Sequence, residues 1–332
     1  MNASTTPLRW GVLGSAKIGR TQVIPAIQRS EQGTVVAIAS RDGHTARAVA
    51  DDLGIPQAYG SYEALLADDD IDAVYNPLPN HLHAEWTMKA ADAGKHVLCE
   101  KPLTLDRTEA ARVIAHCDAA GVVLQEAFMY RFHPQWLRAK QLVDDGRIGE
   151  LRGVQAWFSY FNDDATNIRN IAAFGGGALM DIGCYPISVA RWLFGCEPDE
   201  VEAMAHRDPT SGVDIQTSAM MRFGTAQATF TVATRTAPYQ RVHVVGTTGR
   251  IEVEIPFNAP TDRPTHIFVT AGSTAPAGPA TEVEEFAAVD QYTLQADAFA
   301  VAIREGRGAA LPPADALANM AVVDAIASAS GD

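Results

Sequence analysis

Leu8-Arg9-Trp10-Gly11-Val12-Leu13-Gly14-Ser15-Ala16-Lys17-Ile18-Gly19 is the stretch on which the fold of this 332-residue chain turns. Leu8–Leu13 has the apolar character of a short buried strand, and a helical pattern runs from about Ile18 to Ser30. Between them lies a glycine-rich turn. Laid on the dinucleotide fingerprint G-x-G-x-x-G, it reads Gly14-x-Ala16-x-x-Gly19, with alanine at the middle glycine. That glycine normally lets backbone close on a pyrophosphate, so the added methyl predicts phosphates pushed slightly outward. The main chain around Gly11, Gly14, Ser15, Ala16, Lys17 and Ile18 would meet an anion at the helix start. A strand-to-helix turn that binds nothing is the alternative.

Working outward, strands and helices alternate. Thr34–Ser40, Ala73–Tyr75, His96–Cys99 and Val122–Gln125 read as strands. Thr45–Leu53, a segment after Pro79 reaching about Ala93, and Thr108–Ala120 read as helices, the last closed by Gly121. This alternation predicts an α/β fold whose first domain, residues 1–126, is a doubly wound Rossmann parallel sheet. From Leu151 the pattern changes. Leu151–Phe161, Ala203–Ala205, Ser218–Arg222, Ala226–Val232, Arg241–Val245 and Arg250–Ile255 look like strands joined by short turns such as Phe223-Gly224. One helix, about Ala178–Phe194, interrupts them, and two more lie near Tyr292–Glu305 and Pro313–Ser330. Residues 127–332 are therefore expected to form an α+β substrate and oligomerisation domain with a large, mostly antiparallel open sheet. The closing helix is free to pack back on the first domain. Ala271–Ala280, small and rich in Pro and Gly, reads as an exposed loop.

Composition narrows the class of function. Apolar residues make up 47% of the chain, enough for two cores. A net charge of −14 argues against nucleic acid and anionic membrane surfaces as partners. Cys99, Cys117, Cys184 and Cys196 show no zinc spacing, so no metal is expected. The segment Met1–Pro7 lacks the basic and apolar regions of a secretory signal, and no apolar run reaches the length of a membrane span. A reduced, cytoplasmic protein is the simplest reading, an exported and processed precursor being the other.

The strand ends carry the chemistry. The second strand finishes Ile38-Ala39-Ser40-Arg41, without the terminal acid that bonds an NAD ribose. Ser40 can donate to a phosphate and Arg41 can grip one with its planar fork, which points to NADP. Asp42 either takes the NAD role or caps the next helix. Pro77, Leu78, Asn80 and His83 belong to a stiff turn on the same face, with Asn80 the expected helix cap. The His81-x-His83 pair could suggest a metal, but no third and fourth ligand stand at telling spacing. Cys99-Glu100-Lys101-Pro102 follows the apolar Val97-Leu98. Lys101 is then a candidate catalytic cation at a strand end, or else a structural ion pair.

Phe174-Gly175-Gly176-Gly177 precedes a helical block holding Asp181 and Tyr185, four apart and so on one face. Phenol, carboxylate and the Lys101 ammonium could form a proton relay, the cation lowering the tyrosine pKa. A tyrosine at a core edge and an aspartate serving a helix end fit the spacing equally well. Pro186 inside this block implies a kink or a local helix start.

Taken together, WGVLGSAKIG, IASRD, YNPLPNHLH, CEKPLTL, EAFMYRFHP and GGGALMDIGCYP resemble the glucose–fructose oxidoreductase / inositol dehydrogenase / rhizopine-catabolism (Gfo/Idh/MocA) family over nearly the whole chain. The resemblance implies that Lys101 is the catalytic lysine, Tyr185 the acid/base and Asp181 its carboxylate companion. It adds Glu100, Arg131 and Arg169 to the residues lining the cofactor or sugar site. Tyrosine at 185, with Arg41 and the Trp-Gly opening, is similar to the branch of NADP-dependent sugar 1-dehydrogenases, aldose–aldose oxidoreductases and dihydrodiol dehydrogenases. The expected reaction is hydride transfer between nicotinamide C4 and the anomeric carbon of an aldose. Dihydrodiol dehydrogenase, 1,5-anhydrofructose reductase and a non-catalytic sugar or NADP sensor are the rivals. A homodimer or homotetramer is expected from the exposed faces of the second sheet.

Overall fold

The computed structural model describes residues 6–272 and 281–331, so the loop expected at Ala271–Ala280 lies outside the described residues beyond Gly272. The chain divides into two compact units, residues 1–129 with Tyr292–Leu317, and Tyr130–Gln291 with Ala318–Asp332.

The first unit holds a six-stranded sheet in the order β3-β2-β1-β4-β5-β6, with parallel pairing throughout. Its strands are β1 (Leu8–Leu13), β2 (Gly33–Ala39), β3 (Gln57–Tyr59), β4 (Ala73–Asn76), β5 (His96–Cys99) and β6 (Leu124–Glu126). Side chains alternate along β1. Leu8, Trp10 and Val12 enter one core with α1 (Ile24–Gln28), α2 (Gly43–Leu53) and α8 (Gln291–Arg304). Leu13 enters the other, with α3 (Tyr62–Leu66), α4 (Asn80–Asp92) and α5 (Arg107–Ala120). Helices on both faces explain why the strands read as continuous apolar runs. β3 and α3 were not foreseen, being only three and five residues long and carrying little pattern.

The second unit holds an eight-stranded sheet, β14-β13-β12-β11-β7-β10-β9-β8. β7 (Leu151–Phe161) lies at its centre, parallel to β10 (Ala226–Ala233) and antiparallel to β11 (Arg235–Gly246). β8 (Glu200–Arg207), β9 (Asp214–Phe223) and β10 form one antiparallel meander. β11, β12 (Gly249–Val253), β13 (Thr265–Ala271) and β14 (Glu282–Phe286) form the other. One sheet face packs against α6 (Pro134–Asp144) and α7 (Cys184–Phe194). α6, β13 and β14 are additions to the sequence reading. α9 (Pro313–Ala329) is divided between the units. No helix among the described residues is long and apolar enough to cross a membrane.

Candidate active site

In the first unit the register aligns the carboxyl ends of β2, β1, β4 and β5 along one edge, where open α/β sheets bind ligands. Gly14 leaves β1 with φ +89°, and a Cβ there would stand 3.0 Å from Leu78 Cδ2. Only glycine fits that turn without strain. Gly11 has a different reason. It sits inside β1, and its Cβ would meet Leu65 and Ile71 at 2.8–3.2 Å, so packing accounts for the glycine. Ser15, Ala16 and Ile18 are half-buried and Lys17 is exposed. The helix begins at Lys17 and passes through a π-helical turn at Gly19–Val23, closed by Ile24 N–H donating to the Gly19 carbonyl.

At the end of β2, Ser40 is half-buried and Arg41 exposed. Burial raises the Tyr62 phenol, opposed by the charge and hydrogen bond of Arg41. Asp42 resolves as a helix cap, its carboxylate accepting from His44 N and Thr45 N. Its hydrogen bonds, led by that from the Thr45 hydroxyl, hold its carboxyl below the usual range.

The β4 turn corrects two expectations. The cap position of α4 belongs to Pro79, and Asn80 is the first helical residue. The side chain that organises the turn is Asn76, which the sequence reading passed over. It accepts from Leu78 N at 3.3 Å and donates to the His83 carbonyl and the Thr87 hydroxyl, both at 3.2 Å. His83, expected to touch the cofactor, is buried and spans two backbone segments. Its Nδ1 lies 2.8 Å from the Pro102 carbonyl and its Nε2 2.7 Å from the Leu78 carbonyl. Both ring nitrogens are thereby occupied, which disposes of the H-x-H metal reading. Among the described residues no group of three or more His, Cys, Asp or Glu side chains could hold a metal.

Lys101 follows β5 and is half-buried, with a cis bond to Pro102. Its flanks are pinned from three directions. Tyr75 donates to Glu100 at 2.7 Å, His83 meets Pro102, and Leu103 N donates to Glu126 at 2.7 Å. Polar Glu126, the last residue of β6 and following the apolar Val122-Val123-Leu124, was a sequence signal for this frame.

In the second unit, a π-helical turn at Leu179–Gly183 leads into α7. Pro186 follows that π-helical turn in one continuous helix, so of the two readings, kink or local start, the structure shows a widened turn and no new start. Buried Asp214 accepts from Leu179 N at 2.8 Å and from the Thr217 hydroxyl, holding the helix head. Gly177 has φ +118°, and a Cβ there would come within 2.0 Å of Asp214 Oδ1. Asp181 accepts from the Tyr160 hydroxyl at 2.6 Å and pairs with Arg169 Nε at 3.0 Å. Burial, then the Asp181 charge, raises the Tyr160 phenol far above its ordinary range. Tyr160, the phenol that donates to this carboxylate, was missed because it lies on a distant strand. Tyr185 is nearly buried, its ring 5.1–5.9 Å from those of Tyr130, Phe158 and Phe257. Arg131 stacks on Trp192, 4.0 Å from the ring centroid.

A parallel sheet in this order, with a glycine-bearing first turn and Glu-Lys-Pro after a strand, defines a dinucleotide-binding class of protein. Residues 8–128 match the model of the oxidoreductase family with an NAD-binding Rossmann fold, and residues 136–252 that of the GFO/IDH/MocA C-terminal domain. The chain belongs to the Gfo/Idh/MocA oxidoreductase family. It is 44% identical to D-xylose 1-dehydrogenase (NADP(+)) 2 of Haloferax volcanii over 96% of both chains. A 3-ketoreductase from Actinomadura kijaniata, solved with NADP and TDP-benzene, superposes with a TM-score of 0.91, 34% identity and 98% coverage of each chain. Aldose–aldose oxidoreductase from Caulobacter crescentus, complexed with glycerol, gives 0.89 and 28%, again covering 98% of each chain.

Proposed function

We propose that this oxidoreductase is an NADP-dependent aldose dehydrogenase acting at the anomeric carbon. The observation that carries the reading is the end of β2. Ser40 and Arg41 stand there, and the nearest acid, Asp42, is spent on capping α2. The 44% identity to a D-xylose 1-dehydrogenase that uses NADP supports both cofactor and substrate class. NADP fits the residues present, since the turn at Gly14 leaves a cradle that a Cβ would crowd. Ser15, Ala16 and Lys17 would carry the pyrophosphate, and Ser40 with Arg41 the 2′-phosphate.

Bound NADP supplies the hydride acceptor. Tyr185 takes the proton of the sugar hydroxyl, its ring fixed by Tyr130, Phe158 and Phe257. The Lys101 ammonium stabilises the developing alkoxide and lowers the phenol pKa. Asp181, paired with Arg169, orients this machinery. The reading requires Lys101 and Tyr185 to act on one substrate oxygen.

The test is nicotinamide absorbance with a panel of aldoses and either NADP or NAD. Turnover is expected with NADP and a free aldose. Lys101→Ala and Tyr185→Phe should each cost about 10³-fold in kcat. Near-normal rates in both variants would sink the mechanism. Reduction of a nucleotide-linked keto sugar, with no aldose oxidised, would favour the activity of the Actinomadura relative. A reduced nicotinamide band in the protein as purified, discharged by a second sugar, would mark an aldose–aldose oxidoreductase with retained cofactor.

The partner is a second copy of this chain. The sheet face opposite α6 and α7 exposes the large apolar side chains Trp157, Met204, Met220 and Tyr239 among polar neighbours such as Ser218, Thr231 and Arg241, a mixed surface that a partner could cover. Light scattering should give a dimer or tetramer, and Met204→Glu with Met220→Glu should shift it towards monomer. A monomeric parent protein would overturn this.

A further inference from the structure

His83 is committed to the main chain, and the carbonyls it meets belong to two turns of the same sheet edge. One turn, Pro77–Asn80, has other fastenings, from Asn76 to Leu78 N and from Leu82 N to the Pro79 carbonyl. The other carries Lys101. Proline has no N–H, so the carbonyl is the only main-chain handle at residue 102. That carbonyl is what His83 Nδ1 faces at 2.8 Å, one residue from the ammonium-bearing side chain. Burial, and to a smaller degree the Lys101 charge, push the ring pKa down to about 4. At neutral pH the imidazole therefore has one proton to give, although two acceptors face it.

We propose that His83 is a positioning residue for Lys101, its Nδ1–H held on the Pro102 carbonyl so that the Lys101-Pro102 backbone keeps one place. The proposal rests on the reading of Lys101 as the catalytic cation. It adds that the histidine of the NHLH stretch reaches the chemistry through the Glu-Lys-Pro turn, without touching cofactor or metal. A displacement of about 1 Å in a catalytic group can cost about 10²-fold in rate, which sets the scale of the effect.

Two amide variants dissect the ring. An asparagine amide reaches the place of Nδ1 and keeps a donor for Pro102. A glutamine amide reaches that of Nε2 and keeps a donor for Leu78. His83→Asn should therefore retain kcat within about tenfold, while His83→Gln and His83→Ala should lose about 10²-fold, with KM for NADP little changed in all three. The Lys101 pKa, read by NMR after reductive ¹³C-methylation, should stay at the parent value in His83→Asn and move in His83→Gln. Equal kcat losses in Asn and Gln variants, or losses tracking only their melting temperatures, would overturn the proposal. The two readings separate cleanly. If Lys101→Ala keeps full activity, the catalytic reading fails, and the NMR comparison still decides whether His83 sets the lysine's place.

Discussion

The two units solve the same problem, holding one proposed catalytic side chain steady, by opposite means. In the first, Lys101 sits on a turn after a strand, and contacts from Tyr75 to Glu100, between His83 and Pro102, and from Leu103 N to Glu126 fix the residues on either side of it. In the second, Tyr185 sits on a helix just past a π-helical turn, and aromatic rings fix the residue itself. Polar frames are directional and fail when one partner is lost, because the remaining group is left buried and unpaired. Aromatic cages are less directional and tolerate small shifts. The difference teaches that the ammonium is placed through its backbone and the phenol through its ring.

The sharpest way to break the comparison lies at the two special glycines. Gly177→Ala forces a side chain onto Asp214 Oδ1 at 2.0 Å and onto φ +118°, which dislodges the carboxylate holding Leu179 N. A cost on the order of 4 kcal/mol is expected from strain plus the displaced buried acid. Gly14→Ala meets only the flexible end of Leu78 at 3.0 Å, so about 2 kcal/mol is expected there. Denaturant unfolding followed by hydrogen exchange in each unit measures both. Equal costs would show that the head of α7 is looser than drawn.

A second contrast should come from acid. His83 in the first unit and His133 in the second are both buried, and burial lowers each to about 4. His133 accepts from Gln135 N through Nδ1, as a neutral ring can. Above pH about 6.5 both rings are neutral whether folded or not, and stability is unaffected. Between there and pH 4 the unfolded chain binds protons that the folded units exclude, so stability falls as pH falls. Each ring should account for a loss on the order of 3 kcal/mol across that window. His83→Asn should shrink the first unit's acid loss, leaving the part owed to His96, which burial also lowers, and leave the second's unchanged, while His133→Asn should shrink only the second's. A single shared profile, insensitive to which histidine is replaced, would erase the distinction between the units.

Much of this was legible in the residues. The apolar strand, the glycine turn and the helix after it gave the first sheet, because strands covered on both faces must be apolar along their length. The alternation of Leu151–Phe161 gave the centre of the second sheet, since one face of β7 is buried and the other open. What escaped was short or distant. α6 begins at Pro134 behind a His133 cap, a start signal that could have been read. Tyr160 and Asp214 reach the head of α7 only because β7 and β9 fold back to it, and spacing along the chain holds no record of that. The π-helical turns hid too, although each is followed by a proline, Pro25 and Pro186. A proline ring clashes with the carbonyl four residues back in an α-helix, and a wider turn relieves it.

One feature of the first sheet bears on how the protein is made. The core on one of its faces is completed by α8, whose Phe299 ring lies 5.4 Å from that of Trp10. In the chain Phe299 follows Trp10 only after every strand of the second sheet, so a ribosome releases it later than all of them. Through that interval the nascent Rossmann sheet carries a bare greasy flank, and the complete second sheet emerges before that flank can be closed. Such a chain is exposed to premature association while it waits, which makes it a natural client for chaperones that shield apolar surface.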